Sequence, residues 1–328
     1  MEIANGRRVL ASLLLVGGSF ISVCPLYGQE KFPERAIRIV VPFSAGGGTD
    51  IMGRRFAAKL SPVLGQQVVI ENKGGASGTI GALDVARSKP DGYTLLLGTH
   101  SSLVFNPLSI QNLPYDPVKN FVPIGIISTS TCVIAVHPSV PAKNLKELIV
   151  RIKENPGKYS FGASAGIIQF SGELFIKQAG GYKVNYIPYK GSGQALIDLL
   201  GGQIPVITTT VAAAVPYHRT GKLRILAVFS DKRSSAAPDL PTAIELGVPD
   251  MVAYTFNMLT APAGTPKSVI DVLHQATMQV MRDDSFIKDL DVAGFEPVTD
   301  SSPERAAAAI KDELARWAPI VKATVVRE

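Results

Sequence analysis

Short β-branched runs in this sequence give way, again and again, to small residues and then to a helical stretch, which is the signature of a parallel sheet flanked by helices. Residues 37–42, 68–70 and 93–97 read as strands, and residues 50–60 and 80–87 as helices, a βαβαβ order. The pattern then restarts. Residues 132–136, 159–161, 184–188, 206–208 and 223–228 read as strands, and residues 145–153, 170–178 and 194–200 as helices. Two later helices carry start signals. Thr265 is placed to cap one ahead of Pro266, and Ser302 to cap the other ahead of Pro303 and Glu304, the second running to about residue 322.

The turns repeat as well. Strand 37–42 leads into Ser44-Ala45-Gly46, and strand 159–161 into Ser164-Ala165-Gly166. After the next strand the first set has Lys73-Gly74-Gly75-Ala76-Ser77-Gly78, and the second has Lys190-Gly191-Ser192-Gly193. Two matches in the same order, at nearly equal spacing, predict two similar α/β domains. A C-terminal portion without a counterpart assigns residues 31–126 plus 253–328 to domain 1 and residues 127–252 to domain 2. The length of 328 residues and a hydrophobic content of 46% allow two such cores, and 18% charged residues exclude a disordered chain.

At each of these turns a helix N-terminus presents unpaired N–H groups and the positive end of its dipole, and glycine lets a ligand approach the backbone. Ligands of open α/β sheets bind beyond the carboxyl ends of the strands. Several such turns around one cleft make an anion site that needs no arginine or lysine. The candidate ligand-binding residues are therefore Phe43, Ser44, Gly47, Thr49 and Asp50; Ser77, Gly78 and Thr79; His100 and Ser101; Ser164, Ala165 and Gly166; Tyr189, Gly191 and Ser192; and Thr208. Asp50 has two readings, complementation of a helix dipole or recognition of an ammonium group on the ligand. Phe43 and Tyr189 either wall the cleft or pack beneath it. Lys73 and Lys190 precede their turns, with side chains expected to point to solvent or to the opposite face of the strand ends.

Other chemistries fit less well. The segment Gly46-Gly47-Gly48-Thr49-Asp50-Ile51 does not match G-x-G-x-x-G, and no glycine loop ends in G-K-[ST]. The four histidines stand apart, so no metal site and no cofactor are expected. The formal charge of +6 is scattered, without the basic run of a nucleic-acid binder. One enzyme signal remains as an alternative. Gly162-Ala163-Ser164-Ala165-Gly166 matches G-x-S-x-G between a strand and a helix, with Asp198 or Asp239 and His274 or His218 later in the chain.

The N-terminus predicts export. Arg7 and Arg8 precede an apolar stretch over 9–23, and residues 1–28 read as a secretory signal peptide that is cleaved in the periplasm. Without them one cysteine, Cys132, remains, in a strand-like run that predicts a buried structural thiol.

Longer stretches carry a resemblance. They are Ile39-Val40-Val41-Pro42-Phe43-Ser44-Ala45-Gly46-Gly47-Gly48-Thr49-Asp50, Glu71-Asn72-Lys73-Gly74-Gly75-Ala76-Ser77-Gly78-Thr79-Ile80-Gly81 and Lys89-Pro90-Asp91-Gly92-Tyr93-Thr94 in the first half. In the second half and after it they are Tyr189-Lys190-Gly191-Ser192-Gly193, Leu199-Leu200-Gly201-Gly202-Gln203, 221–228 and Ala261-Pro262-Ala263-Gly264-Thr265-Pro266. Over essentially the whole mature chain these resemble Bug-type receptors, the TctC-like substrate-binding proteins of tripartite tricarboxylate transporters. The resemblance implies a two-domain periplasmic-binding-protein fold, a type II-like clamshell in which each domain is a sheet flanked by helices. It implies a monomeric receptor whose carboxylate ligand is held by backbone and hydroxyl groups of the turns. Its partners would be the two membrane components of a transporter, although some members of such families serve sensing. The chain departs from the pattern in two places. Ser164-Ala165-Gly166-Ile167-Ile168-Gln169-Phe170 is shorter and more apolar than the usual turn, with Gln169 where histidine is usual, and Pro205 stands where an acidic residue is usual. Both changes are expected on the second-domain wall of the cleft, where they bear on the identity of the ligand, with a less polar carboxylate one option.

Overall fold

The computed structural model describes residues 32–164, 166–189 and 191–325, with side chains through residue 322. The expected signal peptide, Ala165 and Lys190 lie outside the described residues. In chain order the strands are β1 (Ile37–Val41), β2 (Val68–Asn72), β3 (Thr94–Thr99), β4 (Phe121–Val136), β5 (Ser160–Ser164), β6 (Asn185–Tyr189), β7 (Val206–Thr210), β8 (Arg224–Val228), β9 (Tyr254–Pro262) and β10 (Glu296–Pro297). The α-helices are α1 (Gly48–Leu64), α2 (Thr79–Ala86), α3 (Asn106–Ser109), α4 (Leu145–Glu154), α5 (Ile167–Gln178), α6 (Ser192–Leu200), α7 (Val211–Arg219), α8 (Lys267–Val280), α9 (Asp284–Val292) and α10 (Pro303–Val325). A 3₁₀ turn, Ala76–Gly78, precedes α2, and a π-helical turn, Ser101–Phe105, precedes α3.

The strands form one hydrogen-bonded network in the order β2-β1-β3-β9-β4-β7-β5-β6, with β8 and β10 also pairing β4. In the first half β2, β1 and β3 run parallel, and β9 lies antiparallel to β3. In the second half β7, β5 and β6 run parallel. The 16-residue strand β4 belongs to both halves. Its residues 121–131 pair with β9, and Cys132–Val136 pairs with β7 on one side and β8 on the other. At the changeover Cys132 donates its N–H to Ala253 O at 2.8 Å and accepts from Phe229 N at 2.8 Å, while Ala253 N donates to Phe229 O. Three chain segments are thus tied at one residue. The Cys132 thiol is fully buried, and burial pushes its pKa up to about 12.

Alternating β-branched residues bury both faces of the sheet. One core packs the first half, including Ile37, Ile39 and Leu95, against Phe56 and Leu60 of α1, Leu273 of α8 and Phe286 of α9. A second lies in the second half, where Val133, Ala135 and Ile207 meet Leu199 of α6 and Val215 of α7. The third is continuous between the halves, joining Val40 and Leu96 to Ile134 and Phe161 around Trp317 of α10.

Most strands and helices lie where the sequence puts them, with boundary shifts of a few residues. Ser302 caps α10 by accepting from Arg305 N at 3.2 Å. Thr265 does not cap α8: its hydroxyl donates to Pro262 O at 2.7 Å, and Pro266 stands at the cap position. Helices α7 and α9 and strand β9 were not anticipated from the sequence, and of β4 only residues 126–136 read as strand-like.

Candidate functional site

Three turns at the carboxyl ends of β1, β2 and β3 are fastened to each other. A β-carbon at Gly74 would lie 3.1 Å from Ser44 N, so the second turn presses on the first through glycine. Asn72 Nδ2 donates to Phe43 O (3.1 Å) and to Asp50 Oδ1 (3.0 Å). Asn106, which follows the π-helical turn, donates to Ser77 O (3.0 Å) and Thr79 Oγ1 (3.2 Å). Gly78 adopts φ 92°, a left-handed conformation that glycine reaches at no steric cost, and sits against Pro42 and the Phe43 ring. Asn72 and Asn106 were missed by sequence reasoning: Asn72 is the last residue of β2 and Asn106 the first of α3, and neither position signals that its amide bridges two turns. In the second half Ser164, the last residue of β5, places its Oγ 3.2 Å from Ser192 Oγ at the start of α6. The halves meet where a β-carbon at Gly166 would lie 2.6 Å from Ser101 Oγ. The structure thus joins Phe43, Ser44, Asp50, Ser77, Gly78 and Thr79 in one half, Ser164 and Ser192 in the other, and Ser101 with Gly166 between them.

The helices that begin at these turns share a property. Helices α1, α2, α5 and α6 start behind Gly47, Gly78, Gly166 and Gly191, and none of the four has a side-chain cap. Of the helices that begin elsewhere, α4, α7, α9 and α10 are capped by Asn144, Thr210, Asp283 and Ser302, while α3 and α8, behind Phe105 and Pro266, have no side-chain cap. A capping side chain would occupy the first-turn N–H groups that an anion needs.

The cationic and acidic neighbours are engaged internally. Lys73 Nζ lies 3.3 Å from Glu71 and 2.9 Å from Asp84, which also pair with Arg38. The buried Asp50 carboxylate accepts from Gly46 N (2.8 Å), Asn72 and Arg54. Burial works against its charge, but these donors hold its pKa below the ordinary carboxylate value. Its partners tie down the first turn, which is the structural one of its two readings.

Three expected residues sit under the site. His100 is wholly buried and uses both ring nitrogens, on Phe256 N and Glu313. Thr208 is buried and donates to Ile168 O at 2.8 Å. Tyr189 donates to Asp198 at 2.7 Å and packs under Gly162, and burial first, then Asp198, pushes its phenol up to about 12. The other histidines bond Ser139, Ile225 N and Ile124 O, and not Ser164.

A cavity of about 480 Å³ opens beside α5, bordered by Phe161, Gln169, Glu173, Tyr186, Thr208 and Ile320. It shares only Thr208 with the expected site, and of the four uncapped helix starts only the first turn of α5 reaches it, through Gln169. Gln169 faces this cavity and donates to Glu173 at 2.8 Å, while Ile167, Ile168 and Phe170 are buried. Phe170 stacks on Phe105 of the first half, with centroids 5.1 Å apart. Phe170 of this turn therefore serves packing between the halves.

Known proteins share this architecture. A protein described as BugT of Bordetella pertussis is 35% identical over 324 residues, covering 96% of this chain and 98% of that one. A solved structure described as a periplasmic transporter is 40% identical, with TM-score 0.85 over 89% of this chain and 97% of its own. A Rhodopseudomonas palustris protein solved with adipate is 34% identical, with TM-score 0.85 over 89% of this chain and 97% of its own. MatC of the same organism, solved with bound malate, is 28% identical, with TM-score 0.82 over 88% of this chain and 100% of its own. The fold is that of the periplasmic binding proteins, a mixed α/β sheet flanked by helices. The model of the tripartite tricarboxylate transporter family receptor matches residues 52–326, and the chain belongs to that family.

Proposed function

We propose that this protein is an exported periplasmic receptor that captures a small carboxylate between two domains and delivers it to the membrane components of a tripartite tricarboxylate transporter. The observation that carries the reading is the set of four glycine-headed, uncapped helix starts, α1 and α2 in one half and α5 and α6 in the other. Relatives solved with malate and adipate support the ligand class. The charge is neutralised by backbone N–H groups and hydroxyls of Ser44, Ser77, Ser101, Ser164 and Ser192. A hydrogen bond to a charged group contributes about 1.5–3 kcal/mol, so a few suffice for micromolar binding, near −8 kcal/mol, after association costs. Ser164 acts as a donor, not as a nucleophile. In this reading residues 31–126 plus 253–328 form domain 1 and residues 127–252 form domain 2, with the hinge in β4 and in the connection between β8 and β9. Export rests on the signal-peptide reading of residues 1–28, and no helix among the described residues is long and apolar enough to cross a membrane.

The test is a thermal-shift screen of protein lacking residues 1–28 against mono-, di- and tricarboxylic acids. A ligand at about 100 times its Kd adds roughly 2.7 kcal/mol of stability. Saturable stabilisation, with a smaller radius of gyration by small-angle scattering, is the expected result. A screen in which no carboxylate stabilises the protein would overturn the ligand class, and an unchanged radius at saturation would overturn the hinge.

A further inference from the structure

The chain leaves β3 for the Ser101 turn in an unusual way. The ladder between β3 and β9 runs from Leu96 opposite Thr260 to Thr99 opposite Asn257, and there it ends. The next residue of β9, Phe256, still has an N–H to satisfy. It donates to Nδ1 of the His100 imidazole at 3.0 Å, so a side chain takes the place of a strand acceptor. The His100 backbone is then free to turn to φ −50°, ψ −40°, and the chain continues as a π-helical turn from Ser101 to Phe105. Single π turns of this kind are rare and concentrate at functional sites.

The arrangement fixes a proton. An N–H can only donate, so Nδ1 is unprotonated and the ring proton sits on Nε2. Nε2 lies 3.1 Å from Glu313 Oε2, on α10, more than two hundred positions along the chain. Glu313 is buried and also accepts from Trp317 Nε1 (2.8 Å) and Tyr254 OH (3.0 Å). Burial pushes the imidazole pKa down against the pull of Glu313, so the ring is neutral. The same burial opposes the Glu313 charge, but hydrogen bonds from His100 and Trp317 and the nearby Arg316 keep the carboxylate ionised. A carboxylate can only accept, which excludes the other imidazole tautomer.

We infer that Glu313 is a positioning residue for the Ser101 turn: it selects the His100 tautomer that replaces β3 as the acceptor for Phe256, and so holds Ser101 against Gly166. The inference rests on the carboxylate-receptor reading for its effect on affinity, and on the geometry alone for its effect on the turn.

Two measurements test it on protein lacking residues 1–28, well below the unfolding temperature. The first is affinity for the best carboxylate of the screen. Glu313→Met removes the acceptor and should weaken binding about tenfold, whereas Glu313→Gln, which keeps a carbonyl for Nε2–H, should stay within about threefold of wild type. Trp317→Phe removes a different donor to the same carboxylate and should lower the melting temperature without changing affinity. The second measurement needs no ligand. Amide exchange over 101–105 and at Phe256 should accelerate in Glu313→Met and not in Trp317→Phe. Where Glu313→Met does not fold, His100 supplies the comparison. His100→Asn offers an acceptor near Nδ1 and should retain a protected Phe256 amide and affinity, whereas His100→Gln should lose both. Unchanged affinity and exchange in Glu313→Met, or a His100→Gln that outperforms His100→Asn, would overturn the inference. A wild-type protein that binds no carboxylate would sink the receptor reading instead, and the exchange data would still decide the role of Glu313.

Discussion

Ser101 of the first half and Gly166 of the second stand so close that a single methyl group at position 166 would lie 2.6 Å from the Ser101 hydroxyl oxygen. Gly166 also has φ 84° and ψ −142°, a conformation essentially confined to glycine. Gly166→Ala should therefore destabilise the protein by roughly 1–3 kcal/mol and weaken ligand binding. Ser101→Gly in the same chain relieves the contact but not the backbone strain, and it should not restore affinity, because it also removes a hydroxyl assigned to the ligand. Calorimetric titration and thermal melts of the single and double variants separate the two effects.

Gly191 is the opposite case. Its backbone is extended, with φ −174°, and a β-carbon there meets nothing within 4 Å. Gly191→Val should fold with little loss of stability and fail to bind, because the valine occupies the approach to the first N–H groups of α6. Lys73→Ala, which breaks an ion pair away from the turns, should cost less than about 1 kcal/mol of stability and leave affinity unchanged. The reverse pattern in titration calorimetry would mean that the ligand is held by an ion pair.

Ser164 has another serine, Ser192, as its hydroxyl partner. Ser164→Ala should weaken carboxylate binding by about 0.5–3 kcal/mol, the range of one hydrogen bond to a neutral or a charged group. A fluorophosphonate probe should leave the wild-type protein unlabelled. Stoichiometric labelling at Ser164 would return the hydrolase reading.

The Glu313 carboxylate is held below its ordinary value of 4.5, at about 2, by the donors around it, despite burial. A carboxyl whose folded pKa is depressed contributes stability above its unfolded pKa and loses it as the pH falls through the folded one. Stability should therefore decline between about pH 4.5 and pH 2, to which Asp50 adds in the same direction. Glu313→Gln should flatten that limb in urea titrations, and an equally steep limb in the variant would show that other groups set it.

The strand-to-helix turns were legible because glycine, serine and β-branched residues signal them locally. The first-half turns and the Ser164 and Ser192 pair follow directly from that signal. The roles of His100 and Thr208 were not legible, because a residue at a strand end faces either the cleft or the core, and that choice depends on partners far away, Glu313 for His100 and Ile168 for Thr208. Helix α7 was hidden by its composition. It opens with Val211, contains Pro216 and follows three threonines, and its start is stabilised by the Thr210 cap. Strand β9 was hidden by its mixed polarity, since Asn257 and Thr260 are buried in the middle of the sheet and Asn257 donates to Ser128. The packing of the apolar turn after Ser164 was not legible either, because the partner of Phe170, Phe105, lies in the other half.

Strand β4 passes from one half of the sheet to the other without a break, and the backbone of Cys132 is bonded on both sides where it does so. The proposed rotation of the halves would then be taken up as twist along a continuous ribbon, not as a swing about a slack connector. A twisted ribbon resists in proportion to its displacement and returns when released. Under the proposed closure the receptor would store a little elastic energy on shutting, and that energy would favour letting the ligand go.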